Sequence, residues 1–234
     1  ATVSITVVSV PGAPTGVTAV TGDSRATVSW TAPAANGSAI TTYVVQYSSD
    51  GGTTWTTFTH TASTATSIDV TGLTNGVTYV FQVAAVNGIG TGNFSASSNA
   101  VSPTSADATL TSLATSTGSL SPSFSSSTVS YTVSVANDVT SITVTAVLSQ
   151  AGSTMTVNGV VTLSGQASAS ITLAVGSNSI SIAVTAPNGT TTVTYTVNVT
   201  RAAGSTPQPA PDNGNSLLSS ITSGSGGSAI NFST

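Results

Sequence analysis

His60 is the sole histidine of the chain, and with its many serines and six aspartates it permits a Ser-His-Asp grouping on paper. Hydrolytic triads need a rigidly presented serine, and no Gly-x-Ser-x-Gly elbow occurs anywhere in the sequence. His60 follows the Trp55–Phe58 run and reads as a solvent-side strand residue. The acids Asp23, Asp50, Asp69, Asp107, Asp138 and Asp212 are scattered, and most sit in turn-like contexts where Asp bonds its own backbone. Their spacing gives no paired-carboxylate site for glycoside hydrolysis. Gly22 with Asp23, and the Asp212-Asn213-Gly214-Asn215 run, offer oxygens to calcium, yet neither has the dense carboxylate loop such a site uses, so both read as turns. With no cysteine, thiol catalysis, cysteine-ligated zinc and disulfides are all excluded. The reading is therefore non-enzymatic, with no catalytic residue, no metal ligand and no cofactor.

Charge narrows the partners. Only 3% of the 234 residues are charged, against about a quarter in an average globular protein. The acids are all Asp, the bases are Arg25 and Arg201, and Lys and Glu are absent. Two arginines cannot form the basic cluster that displaces counterions from phosphates, so nucleic acids and anionic membranes are excluded as electrostatic partners. No run approaches the ~18 apolar residues that span a bilayer, which excludes insertion by a helix. A net charge of −4 gives little repulsion between copies, a state that favours association. Without lysine, Lys-to-Asn isopeptide crosslinks are impossible, and any toughness must come from strand pairing. The chain opens on Ala1 instead of Met, which reads as a processed product or a fragment.

Among aromatic residues, Tyr43, Tyr47, Trp55 and Phe58 fall in neighbouring strand-like runs of the first half and are the candidates for a sugar platform. Trp30 and Tyr79 are better read as core, leaving Trp55 as the single carbohydrate candidate.

The elements that must carry these residues are strands. Ser and Thr make more than a third of the chain and Val, Ala, Ile and Gly much of the rest, a β-branched and short-chain composition unsuited to helical bundles. Proline and glycine divide the sequence into an upstream segment 1–10, a body 11–103, a second body 105–201 and a Pro/Gly/Ser-rich linker and flexible tail 202–234. Each body has the size of one β-sandwich. In the first, Ala26/Val28/Trp30, Tyr43/Val45/Tyr47 and Val77/Tyr79/Phe81/Val83/Ala85 alternate, with a glycine hairpin at Asp50-Gly51-Gly52, and seven strands are expected. In the second, Tyr131/Val133/Val135, Ile142/Val144/Ala146, Ile171/Leu173/Val175, Ile180/Ile182/Val184 and Val193/Tyr195/Val197 alternate with Ser or Thr. The fold class is thus all-β, two tandem immunoglobulin-like or fibronectin-like sandwiches with an extra N-terminal strand.

The run ATVSWTAPAANGSAITTYVVQYSSDGGTTWTT, followed by TGLTNGVTYVFQVAAVNGIGTGNFS, resembles a bacterial fibronectin type III domain over about 90 residues. The resemblance makes Trp30 the buried core tryptophan and pairs Leu73 with Tyr79 as a tyrosine corner, in which the phenol bonds back to backbone. No Arg-Gly-Asp occurs, so integrin-type adhesion is not carried over. The second body resembles the bacterial cadherin-like β-sandwich domain through Leu113, Leu120-Ser121-Pro122, Phe124, Tyr131, Val157-Asn158-Gly159 and Tyr195-Thr196-Val197. The calcium-binding carboxylates of true cadherins are missing, since Asp138 is the only acid between Asp107 and Asp212.

Upstream of both bodies, Val3, Ile5 and Val7 share one face of a strand-like segment, Ala1–Val10, that has no evident partner. It reads either as a donor strand for a neighbouring copy or as the last strand of a preceding domain in a longer parent. The expected function is a non-catalytic extracellular structural segment, a filament subunit or adhesin stalk assembled through strand pairing. The alternative is an accessory or carbohydrate-binding module of a secreted polysaccharide-degrading enzyme. Expected partners are copies of the chain itself as a homopolymer, neighbouring domains, or surface polysaccharide, at a bacterial cell surface or outside the cell.

Overall fold

The computed structural model describes residues 7–204. Ala1–Thr6, with Val3 and Ile5, and the tail from residue 205, with Asp212, lie outside the described residues.

The described residues hold fifteen strands and no helix. The first six are β1 (Thr15–Thr21), β2 (Arg25–Thr31), β3 (Ile40–Ser48), β4 (Thr56–Phe58), β5 (Ser67–Thr71) and β6 (Val80–Asn87). They form two three-stranded sheets, β1-β2-β5 and β4-β3-β6. Alternation decides which side chains meet between them: β2 buries Ala26, Val28 and Trp30, β3 buries Tyr43 and Val45, and β6 buries Phe81, Val83 and Ala85.

A seventh regular strand is not present after β6. Residues 91–101 run beside β6 and bond to it, but serine hydroxyls interrupt the backbone ladder: Val83 N donates to Ser95 Oγ and Phe81 N to Ser98 Oγ, both at 3.1 Å. The amides of Ser95 and Ser98 return bonds to the carbonyls of Val83 and Phe81. Ser, which competes for backbone bonds through its side chain, replaces a ladder rung without leaving a buried donor unpaired.

The second unit comprises β7 (Leu110–Thr115), β8 (Ser130–Val135), β9 (Ser141–Ile142), β10 (Val144–Leu148), β11 (Thr154–Val157), β12 (Val160–Thr162), β13 (Ile171–Thr172), β14 (Gly176–Thr185) and β15 (Thr192–Arg201). One sheet runs β12-β11-β14-β15-β8, with β15 and β8 parallel and the rest antiparallel. The pairs β10-β7 and β13-β9 supply strands over its inner face. Their core is aliphatic except for Tyr131, Tyr195 and Met155. The same serine device recurs, with Val144 N donating to Ser168 Oγ at 3.0 Å.

Between the units, Thr104 N donates to Gly22 O and Ala106 N to Asp23 Oδ2, so the β1–β2 turn holds the connecting backbone.

Candidate functional site

Most of the residues with reactive side chains, the exposed Asp138 apart, are tied to a structural task. His60 lies just past β4 and is half-buried instead of standing on a solvent face. Its ring stacks on Phe58 at 6.1 Å, and its Nδ1 lies 2.8 Å from Thr61 O. The neighbouring cleft of about 230 Å³ is lined by Trp30, Tyr43, Ser63 and Ile68 among others and contains no carboxylate, so no Ser-His-Asp grouping forms there. Among the described residues no group of His and Asp is arranged to hold a metal.

The aspartates serve turns. Asp50 accepts from Ser48 Oγ (2.6 Å), Thr54 Oγ1 (2.6 Å), Thr54 N (2.9 Å) and Thr53 N (3.0 Å), closing the β3–β4 connection in which Gly51 and Gly52 take positive φ. The hydroxyl of Ser48, then that of Thr54, holds the Asp50 carboxyl far below its ordinary range. Asp23 accepts from Asn75 Nδ2 and from Ala106 N, and those bonds lower it too. Asp107 accepts from Thr109 and Ser149 and is likewise lowered, chiefly by the Thr109 hydroxyl. Asp69 pairs with Arg25 at 3.1 Å across β2 and β5, an exposed pair of small worth. The guanidinium of Arg201 donates to Asn137 O and Leu173 O, fastening the end of β15.

The aromatic residues divide between core and rim. Trp30 is buried and meets Tyr43 edge to face at 5.0 Å, the arrangement that sets a ring's positive edge against a π face. The Trp30 indole Nε1 has no hydrogen-bond partner among the described residues. Leu73 and Tyr79 are buried together, and Tyr79 Oη accepts from Thr74 N at 3.1 Å. Trp55 is half-buried, its indole lying against Gly52, and Phe58 packs against the core. Tyr43, Tyr47 and Phe58 therefore face inward, and no aromatic platform forms around Trp55.

Two phenols in the second unit carry roles that sequence reading did not assign. Tyr195 Oη accepts from Leu110 N at 3.1 Å and donates to Ser126 O at 3.2 Å. Burial pushes its pKa up, keeping it a neutral donor. Tyr131 Oη lies 2.8 Å from Ser125 O and 2.7 Å from Thr128 O. Their placement in alternating strands is legible in sequence; the Tyr195 bonds are not, because Leu110 and Ser126 lie 85 and 69 residues away.

Val7 is exposed, and Val7–Val10 form no strand. Instead Ser9 N donates to Asn36 O, and the side chains of Asn36 and Asn87 donate to Val10 O and Ser9 O. The chain is rooted on the first unit at Ser9–Val10.

These features define a tandem of β-sandwich modules whose polar groups maintain loops and junctions. Residues 12–101 are a fibronectin type III domain and residues 106–202 a cadherin-like β-sandwich domain, in that order. Such domains are typically non-catalytic modules of structural or adhesive proteins, and are typical of extracellular ones. No helix among the described residues is long and apolar enough to cross a membrane.

The chain is similar to a fibronectin-like protein from Clostridium thermocellum at 30% identity, over 42% of this chain and 97% of that one, with a TM-score of 0.34. It is also similar to a run of titin domains at 27% identity, over 40% of this chain and 32% of that one, with a TM-score of 0.37. The twitchin kinase region of C. elegans is similar at 24% identity, over 40% of this chain and 17% of that one, with a TM-score of 0.37. This chain thus spans about a third of the titin fragment and less of the twitchin region. No curated protein matches it.

Proposed function

We propose that the chain is a structural segment of an extracellular assembly, a filament subunit or adhesin stalk, in which the N-terminal segment of one copy adds as a strand to the next. The observation that carries the reading is the rooted, apolar N-terminal segment. Ser9 and Val10 are held by three hydrogen bonds to Asn36 and Asn87, while Val7 immediately upstream stands 82% exposed. Beyond it the sequence alternates Val3, Ser4, Ile5, Thr6, a pattern that suits one buried face. Proteins seldom leave such a segment without a partner. Burying Val3, Ile5 and Val7 would contribute about 1.5–3 kcal/mol each before ordering costs, and ladder bonds would fix the register.

Two further observations support a structural task. The aspartates of the described residues other than the exposed Asp138 hold turns, junctions or a sheet-surface ion pair, leaving none poised for chemistry. Low net charge also permits close association of copies. Sedimentation across a concentration series tests the reading. Mass should rise with concentration in the parent chain and stay at one chain after deletion of residues 1–8. Association that survives the deletion removes the donor segment from the function.

A further inference from the structure

Exposed large apolar side chains concentrate at two places among the described residues. One is Val7, Val8 and Val10; the other is Val160, Val161 and Leu163. The others, such as Val20 and Val129, stand singly, as on any soluble surface. The second cluster lies on a sheet edge. β12 ends the five-stranded sheet and joins β11 through Asn158-Gly159, whose φ values of 48° and 81° mark a two-residue hairpin turn. That turn makes Val157 and Val160 the hydrogen-bonded pair, so the following pair, Thr156 and Val161, directs its backbone groups away from each other. Thr156 faces Ala183 of β14. The amide and carbonyl of Val161 face outward, where no described strand pairs.

Val160 shares the core-facing side with Val157 but is 56% exposed. Beside it lies a recess of about 220 Å³ lined by Val157, Val160, Ala169, Ile171 and small polar residues, with no ionisable side chain. Three other edges are occupied or charged. Asn99 bonds both the amide and the carbonyl of Ala19 on β1, Gly165 and Ser168 donate to β10, and β5 carries the Asp69–Arg25 pair.

We propose that β12 is the edge that receives the N-terminal segment of a second copy, with Val3, Ile5 and Val7 turned toward Val160 and the recess. This rests on the strand-pairing reading above and supplies its other half. The N-terminal segment is the occupant because Val3, Ile5 and Val7 place three apolar residues at period two, as an added strand requires, whereas near the C-terminus Leu217, Leu218 and Ile221 do not alternate and Ile230 and Phe232 place only two that way. Eight residues at about 3.3 Å each exceed the length of the three-residue β12, so the segment covers it fully. Donor and acceptor are different surfaces, so the contact is heterologous and propagates head to tail, as a filament wherever its rotation does not close a ring.

The absence of cysteine makes every introduced thiol unique. Full-length Ile5→Cys and Val160→Cys chains are mixed under mild oxidation, with Val175→Cys, also exposed, as the control acceptor. A covalent heterodimer is expected with Val160→Cys and not with Val175→Cys. In parallel, Val160→Lys and Val161→Pro chains are sedimented, the proline being tolerated where the amide is unpaired. Both are expected to lose association while keeping the parent's melting temperature. If copies still associate in both variants and the heterodimer forms no better than the control, the β12 assignment fails while strand pairing elsewhere stands. If deleting residues 1–8 leaves association unchanged, or the parent never associates, the underlying reading fails with it.

Discussion

Replacing Tyr195 by Phe removes one oxygen from the centre of the cadherin-like domain, and the structure ranks its cost against the matching change in the first domain. The Tyr195 hydroxyl accepts from the amide of Leu110, a residue with no exposed surface, and donates to the carbonyl of the exposed Ser126. Without it the Ser126 carbonyl can turn to water, but the Leu110 amide is left buried without an acceptor. That costs about 1–3 kcal/mol. In Tyr79→Phe the orphaned amide belongs to Thr74, which is exposed and can be hydrated, so the loss is about 0.5–1.5 kcal/mol. For a domain of roughly 100 residues each kcal/mol is worth about 4–8 °C. Tyr195→Phe should therefore lower its transition by about 4–24 °C, and Tyr79→Phe by about 2–12 °C. Both tryptophans lie in the fibronectin domain, so indole fluorescence follows that domain alone while circular dichroism follows the whole chain. The Tyr195 variant should move a dichroism transition and leave the fluorescence transition in place. A shift no larger than that of Tyr79→Phe, or one seen in fluorescence, would refute the reasoning.

Trp30→Ala should destabilise the first domain by about 3–5 kcal/mol, read by fluorescence from the remaining Trp55; an unchanged melt would remove Trp30 from the core. In Gly92→Ala the new Cβ would collide with the carbonyl of Pro11, so a loss of about 1–3 kcal/mol is expected in the fluorescence-detected melt. The carboxyls of Asp23, Asp50 and Asp107 titrate below their unfolded value of about 3.9. Their contribution is therefore complete above that pH and lost as pH falls through it toward the folded values. Melting temperature should hold steady from neutral pH to about 5 and drop below about 4, and Asp50→Asn should shrink the drop in the first domain.

The architecture was legible because hydrophobic period two is a local property: Val28/Trp30, Tyr43/Val45 and Ile180/Ile182/Val184 each show their buried face within a few residues. The loss of the expected seventh strand of the first domain was not legible, since Ser95 and Ser98 replace ladder rungs with hydroxyl bonds that a sequence pattern does not show. His60 reads as a strand residue because it follows Phe58 in sequence, but β4 ends at Phe58 and the imidazole stacks on that ring. The sugar-platform reading of Tyr43 and Tyr47 failed on parity. Both share a face with the buried Val45, which a neighbouring-strand argument does not weigh. The bonds of Tyr195 and Arg201 were invisible, because Leu110 and Leu173 come near only once the sheets are stacked. The exposed edge at β12 was equally hidden, since Val160 and Val161 look like any buried strand until the strand order is known.

Electron microscopy of the purified full chain beside a chain lacking residues 1–8 tests the assembly claim most directly. The full chain should form filaments that repeat two sandwich-sized bodies end to end, and the deleted chain should appear as separate two-body rods. Filaments of equal length in both samples, or isolated rods in both, would contradict assembly through the N-terminal strand.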